Sequence, residues 1–340
     1  MHQTTYGLDI AKRVFQVHWV DPVSGEVRSR SLTRRQMFSF FVNRPTGVIA
    51  LEACGSGHFW ARTLAAQGHE VRLLHPKYIR PFVRTNKTDA ADAEAIWIAA
   101  QQPGIRAVAL KSEEQQAILA LHRMREQLVK FRTMQVNQIR GLLGEFGFVF
   151  RSGRRAGLAE VRAAMAELDN AVAGVLMTGI RQQLGRLERI DADIGAIEKQ
   201  MQTWHRKELD CQRLADVPGI GAITATALVA TMGSAKAFKS GREFAAFLGL
   251  VPRQSGSGGR VKLLGISKRG DSYLRKLLVH GARTVLFRSK QPSAWMCGLL
   301  GRRHRNVAIV ALANKMARTA WALLAHGRSY QTDYIGVRPA

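Results

Sequence analysis

The chain has 340 residues, with 51 Lys and Arg against 25 Asp and Glu, giving a formal net charge of +26 and a pI near 11.1. Such a length accommodates two or three domains with cores of their own, and such a cationic excess points to a polyanionic partner, because each neutralised phosphate releases counterions. Three scattered cysteines, Cys54, Cys211 and Cys297, argue against a disulfide framework or a zinc knuckle and fit a reducing cytoplasm; no leader, lipidation motif or long uncharged apolar run points to a membrane.

The first hundred residues alternate strand and helix signals. "TTYGLDI" reads as a short strand carrying Asp9, "VFQVHWVD" as an alternating strand, and "EVRSRSL" as its return across the turn "PVSG". "QMFSFFVN" reads as a helix, "GVIALE" as a buried strand ending in Glu52, "HFWARTLAAQG" as a helix closed by Gly68, and "HEVRLLHP" as a strand stopped by Pro76. Three meandering strands followed by alternating helix and strand predict a mixed α/β sheet.

"NKTDAADAEAI" then opens a helix with Asp89 and Asp92 three residues apart, hence on one face. Two readings compete. The acids either punctuate a helix start, where free N–H groups and the macrodipole favour negative charge, or form half of a metal site. Glu94 turns to another face and is expected to be solvated or salt-bridged.

Residues 112–209 are expected to form two long antiparallel helices, as a stalk or dimerisation arm or as a plain helical bundle packed on the first domain. One stripe runs through Leu121, Met124, Leu128 and Phe131, and a second, past "RSGRRAG", through Ile180, Leu184, Leu187, Ile194, Ile197 and Met201. From residue 210 the chain reads as helical, basic and rich in Gly. "VPGIG" suggests a turn of helix-hairpin-helix type or a close-packed turn, and "QSGSGGR" reads as a flexible loop before a basic helix. Lys268, Arg269, Arg275 and Lys276 are candidate phosphate contacts, with Arg302, Arg303 and Arg305 as a second cluster.

The four acids of the first domain belong together. In a ribonuclease H-like sheet the first strand is central, the fourth lies beside it and the final helix packs on that side, which would gather Asp9, Glu52, Asp89 and Asp92. Four crowded carboxylates repel unless cations sit among them. Their common use is to hold two Mg2+ ions, with Mn2+ as a substitute, for in-line phosphoryl transfer.

"GLDIAK", "ALEACG", "GHEVRLLHP", "NKTDAADAEA", "VPGIG", "FAAFLGLVPR", "SGG" and "GISKRGDSYLR" together resemble the insertion-sequence 110 family of transposases, particularly its 1111 subgroup, over nearly the whole chain. The resemblance implies a RuvC-like, ribonuclease H-like catalytic domain over residues 1–111, a coiled-coil arm over 112–209, a transposase domain over 210–328 and a tail over 329–340. The fold class is thus α/β plus all-α. By motif, the family's Asp-Glu-Asp-Asp tetrad falls on Asp9, Glu52, Asp89 and Asp92, and its nucleophilic serine on Ser257, with Ser255 as the runner-up.

The same resemblance implies a chemistry of recombination. Serine attack on a backbone phosphate would leave a 5'-phosphoserine link and a free 3' hydroxyl, preserving the ester for strand exchange. The implied partners are double-stranded donor and target DNA, a noncoding guide RNA of the bridge RNA or seekRNA kind, and further copies of the chain in a dimer or tetramer. The competing expectations are a metal-dependent, structure-specific nuclease of Holliday-junction resolvase type, in which water attacks, and a non-catalytic nucleic-acid scaffold.

Overall fold

The computed structural model describes residues 3–83, 88–289 and 292–332. Residues 86 and 87 of the acidic motif, and the expected tail from residue 333 onward, lie outside the described residues. The chain divides into two compact units, Met1–Ser112 and Glu113–Ala340.

In the first unit, strands β1 (Thr5–Ile10), β2 (Val14–Val20) and β3 (Val27–Thr33) form an antiparallel meander. Helix α1 (Arg34–Val42) follows, then strand β4 (Val48–Glu52), helix α2 (Gly57–Ala66), strand β5 (Glu70–Leu74), a short helix α3 (Pro76–Ile79), helix α4 (Asp89–Ala100) and strand β6 (Ala107–Val108). The sheet order is β3-β2-β1-β4-β5-β6, with β1, β4 and β5 parallel. The expected mixed sheet with a central first strand is therefore present.

Local chemistry explains this layout. Central β1 and β4 are apolar along almost their whole length, as strands covered on both faces must be, whereas edge strand β3 is exposed and carries Arg28 and Arg30. Thr33 and Gln36 cap α1 reciprocally: the Gln36 amide donates to Thr33 Oγ1 (3.3 Å) and the Thr33 amide to Gln36 Oε1 (2.9 Å). Leu8, Phe15, Met37, Phe41 and Leu51 fill the core.

The second unit is mostly helical. Helix α5 (Glu113–Gly144) and helix α8 (Gly174–Lys207), joined through α6 (Arg154–Ala163) and α7 (Met165–Ala171), lie antiparallel, as ion pairs Arg125–Glu198 (2.6 Å) and Arg132–Asp191 (2.7 Å) require. Helices α9 (Leu209–Ala215), α10 (Ala222–Met232) and α11 (Gly241–Phe247) follow. A two-stranded hairpin, β7 (Pro252–Ser257) with β8 (Arg260–Ile266), leads to α12 (Ser272–Arg288), α13 (Ala294–Leu300) and α14 (Arg305–His326). Among the described residues, α14 alone is long and apolar enough to cross a membrane, but Ile309, Ala313, Met316 and Ala320 on it build the core shared with Leu228, Phe244 and Leu278.

Two sequence expectations change here. Met124 and Phe131 are exposed, and the buried face of α5 runs instead through Ile118, His122, Val136, Ile139 and Leu143. A polar residue fixes that phase: the two ring nitrogens of His122 bond to Tyr273 Oη (2.9 Å) and Thr226 Oγ1 (3.1 Å), and this satisfied imidazole replaces the apolar side chain that a stripe would demand. The expected stripe on α8 holds at Ile180, Leu184, Leu187, Ile194 and Met201, which are buried, while Ile197 is half-buried.

The Ser and Gly stretch is not a flexible loop. It is the β7–β8 hairpin, turned by Gly258 (φ +57°) and Gly259 (φ +78°), two left-handed residues as a tight two-residue hairpin turn requires. In "VPGIG", Gly219 has φ +88° and meets Gly281 of α12 so closely that a Cβ on either would strike the other's carbonyl. Close packing thus accounts for Gly219.

Candidate active site

Asp9 and Glu52 meet because β1 and β4 are parallel neighbours. The register pairs Leu8 with Leu51, and the next residue along each strand is an acid. Helix α4 brings the other two. Gly7 makes this approach possible: a Cβ there would lie 2.2 Å from the Ala93 carbonyl oxygen and 2.6 Å from the Trp97 amide nitrogen. With no side chain at residue 7, α4 rests directly on β1, tied down by Trp97 Nε1 donating to the Thr5 carbonyl (3.1 Å).

The helix start resolves the competing roles of Asp89 and Asp92. Thr88 is the N-cap, its Oγ1 accepting from the Ala91 amide (3.2 Å). Neither aspartate is needed as a cap, although both sit in the first turn, where the helix dipole favours them. Glu94 is exposed on another face, near His18.

Electrostatics report the gathering. Burial pushes the Asp9 carboxyl up to about 6, and the nearby charges of Asp92, Asp89 and Glu52 add to the rise. Among the described residues, the groups that shift it are these three acids and the Ile10 backbone. The Cys54 thiol, beside Glu52 and Asp9, is raised as well, chiefly by burial. Glu52 and Asp92 also line a cavity of about 270 Å³ with Arg80, Ile79, Val83 and Ile96. A more open hollow of about 600 Å³ along α5, near Lys130 and Asn137, holds no comparable set of acids.

The donor set suits a hard divalent cation: carboxylate oxygens only, mutually repelling. Among the described residues, no three His, Cys, Asp or Glu side chains stand close enough together to grip an ion as they are. The four acids therefore form an electrostatic cluster whose side chains would need to draw inward around a cation.

In the second unit, Ser255 and Ser257 lie on β7, both exposed, paired with Lys262 and Arg260 of β8. Gly256 between them is dictated by the fold, since a Cβ there would fall 2.0 Å from the Arg260 carbonyl oxygen. Lys268 and Arg269 are exposed beyond the hairpin. Arg275 is half-buried, and its Nη1 donates to the Leu248 carbonyl (2.9 Å). Lys276 pairs with Glu126 and lies 5.2 Å from the centre of the Tyr273 ring.

Residues 6–147 match the DEDD transposase model of IS110 type, described as "Transposase", and residues 211–295 match the "Transposase IS116/IS110/IS902 family". The chain is 47% identical to a "Probable family 20 transposase" of Pseudomonas aeruginosa, covering 97% of this chain and 99% of that protein. It is 38% identical to the "Transposase for insertion sequence element IS1111A" of Coxiella burnetii, over 96% of this chain and 90% of that protein. Against the "Transposase for insertion sequence element IS1328" of Yersinia enterocolitica it is 38% identical, over 95% and 97%.

Proposed function

The chain belongs to the IS116/IS110/IS902 family of insertion-sequence transposases, and on that footing we propose that it recombines DNA through a 5'-phosphoserine intermediate under the guidance of an RNA. The observation that carries the reading is the convergence on Asp9 of Glu52 from β4 and of Asp89 and Asp92 from α4. Asp9, Glu52, Asp89 and Asp92 would hold the divalent ions, Mg2+ by the hardness of the donors, and bound ions would supply positive charge to a phosphate undergoing displacement.

The chain's own groups do the rest. The Ser257 hydroxyl gives up its proton, its Oγ forms a bond to a backbone phosphorus, and the bond from that phosphorus to the 3' oxygen breaks. The departing 3' oxygen takes a proton and becomes a free hydroxyl. In the return step a 3' hydroxyl attacks the same phosphorus and releases Ser257, so the ester is conserved and strands can exchange. Arg260, paired across the hairpin from Ser257, stands where a phosphate would be met.

In this reading residues 1–111 are the catalytic domain, 112–209 an arm for self-association into a dimer or tetramer, and 210–328 the domain that presents the serine. Lys268 and Arg269 contact phosphate from exposed positions, while Arg275 and Lys276 serve as phosphate contacts only by exchanging their present partners. Target choice lies chiefly with base pairing by the RNA.

The test is a covalent trap. The gene is expressed with its flanking noncoding DNA, cells are denatured, and DNA attached to the protein is measured in wild type, Ser257→Ala, Ser255→Ala and Asp92→Asn. An adduct lost in Ser257→Ala and kept in Ser255→Ala is expected. Metal-dependent cutting with no adduct would replace this reading with a hydrolytic nuclease.

A further inference from the structure

The β7–β8 hairpin has two unlike faces and packs neither of them. Its register sets Ser255 opposite Lys262 and Ser257 opposite Arg260 on one face, and Gln254 opposite Leu263 and Gly256 opposite Val261 on the other. Every residue of β7, and all of β8 but Ile266, is exposed. Val261 and Leu263 remain 65% and 62% exposed, which a two-stranded ribbon in water does not favour unless something covers it.

The root of the hairpin, by contrast, is tightly fixed. Gly249 (φ +70°) and Gly270 (φ +89°) lie where a Cβ would come within 2.1 Å of the Arg269 carbonyl oxygen and 1.8 Å of the Phe247 carbonyl oxygen. The Ser267 amide donates to the Val251 carbonyl (2.8 Å) and the Lys268 amide to the Gly249 carbonyl (3.1 Å). Asp271 closes the root by accepting from the Tyr273 and Leu274 amides at the start of α12. A projecting ribbon is thus held at its base and open at its tip.

Charge identifies what covers it. From Phe244 to Gly270 there is no Asp or Glu, while Arg253, Arg260, Lys262, Lys268 and Arg269 fall in the same stretch. A surface that is cationic on one face and apolar on the other matches a nucleic-acid groove, with phosphates on its wall and base edges on its floor.

We propose that the β7–β8 hairpin is a finger that enters the major groove of duplex DNA, setting Arg260 and Lys262 against one backbone and Val261 and Leu263 against base edges. Two strands about 4.8 Å apart, with their side chains, fit a groove about 12 Å wide. The apolar pair contacts thymine methyl groups, which project only into that groove. The deep, narrow major groove of an RNA duplex does not admit such a ribbon. The proposal rests on the reading of the chain as a DNA recombinase and adds that the serine is delivered by groove insertion.

The test uses the full-length protein and a labelled mixed-sequence DNA duplex, made once with thymine and once with uracil in its place. Wild type is expected to bind the uracil duplex several-fold more weakly, and a Val261→Ser, Leu263→Ser double variant to bind both duplexes equally. An Arg260→Ala, Lys262→Ala variant should reduce the slope of log affinity against log salt by about 2, a loss the apolar variant should not show. A photo-crosslinking p-benzoylphenylalanine at position 261 should attach to the duplex. Equal binding of both duplexes by wild type, an unchanged salt slope, or crosslinking from position 261 to RNA or to a second copy of the chain would each overturn the finger. The covalent trap is read separately: crosslinking without a serine adduct would keep the finger and defeat the recombinase chemistry, and an adduct without crosslinking would do the reverse.

Discussion

Replacing Gly7 with alanine tests whether the acidic cluster depends on the direct contact of α4 with β1. The new Cβ would sit 2.2 Å from the Ala93 carbonyl oxygen and 2.6 Å from the Trp97 amide nitrogen, both backbone atoms that cannot rotate away. Restoring ordinary contact requires the helix to retreat by roughly 1 Å. Overpacking of this kind costs about 1–3 kcal/mol of stability, and a misplacement of about 1 Å at a reacting centre costs about 10²-fold in rate. Gly7→Ala should therefore remain folded, melt several degrees lower, and form the DNA adduct about two orders of magnitude more slowly. Trp97→Phe is the control. It removes the hydrogen bond from Nε1 to the Thr5 carbonyl without pushing the helix, so it should lose about 1 kcal/mol with little effect on adduct formation. Full adduct yield at the wild-type rate in Gly7→Ala would refute the claim that this contact positions Asp89 and Asp92.

Three further outcomes follow from electrostatics. Asp9 holds its proton more tightly in the folded chain (about 6) than an ordinary aspartate (3.8), so its ionised form opposes folding above pH 6. Allowing for partial exposure, Asp9→Asn should stabilise the metal-free protein by about 1–2 kcal/mol at pH 8 and not at pH 3.5, with divalent cation removing the difference; denaturant titration at both pH values checks it. Burial, with Arg125 nearby, lowers His122 to about 4, so folding loses about 3 kcal/mol as pH falls from 6.5 through 4, and His122→Gln should remove that part of the pH dependence. A melting series that shows the same acid sensitivity in both proteins would contradict it. Neutralising Lys268 and Arg269 together should weaken DNA binding across sequences and flatten the salt slope by about 2, measured by anisotropy; an unchanged slope would make them solvated surface charges.

The sheet and its acids were legible because strand alternation, helix starts and the parallel crossover are local signals with firm geometric consequences. Asp9 and Glu52 stand one residue beyond the paired Leu8 and Leu51, and that adjacency follows once β1 and β4 are neighbours. The α5 phase was not legible. Its burial turns on His122, whose partners Thr226 and Tyr273 lie more than a hundred residues away and give no local sign. The hairpin was missed for another reason: "SGGR" carries a two-glycine turn signal, but the flanking serines lack the β-branched alternation that marks a strand, and composition suggested a linker. Gly7 left no trace in the pattern either, since a glycine in a strand reports close approach only when the approaching element is known.

The acids of the first unit are hard to explain as stabilisers. Thr88 already caps α4, so removing Asp89 would leave the cap in place. Asp9 is driven toward its neutral form by burial and by three like charges, an arrangement that costs stability at neutral pH. Meanwhile Gly7 and the Trp97 hydrogen bond hold α4 where that repulsion is felt. A fold selected for stability alone would gain by turning Asp92 outward, as it does with Glu94. That it does not fits the proposed reading, in which the cluster is kept for a bound cation. In the proposed reading a divalent ion and a phosphate of nucleic acid would supply that cation and its load, and the repulsion at Asp9 and the basic excess elsewhere would be two sides of one requirement.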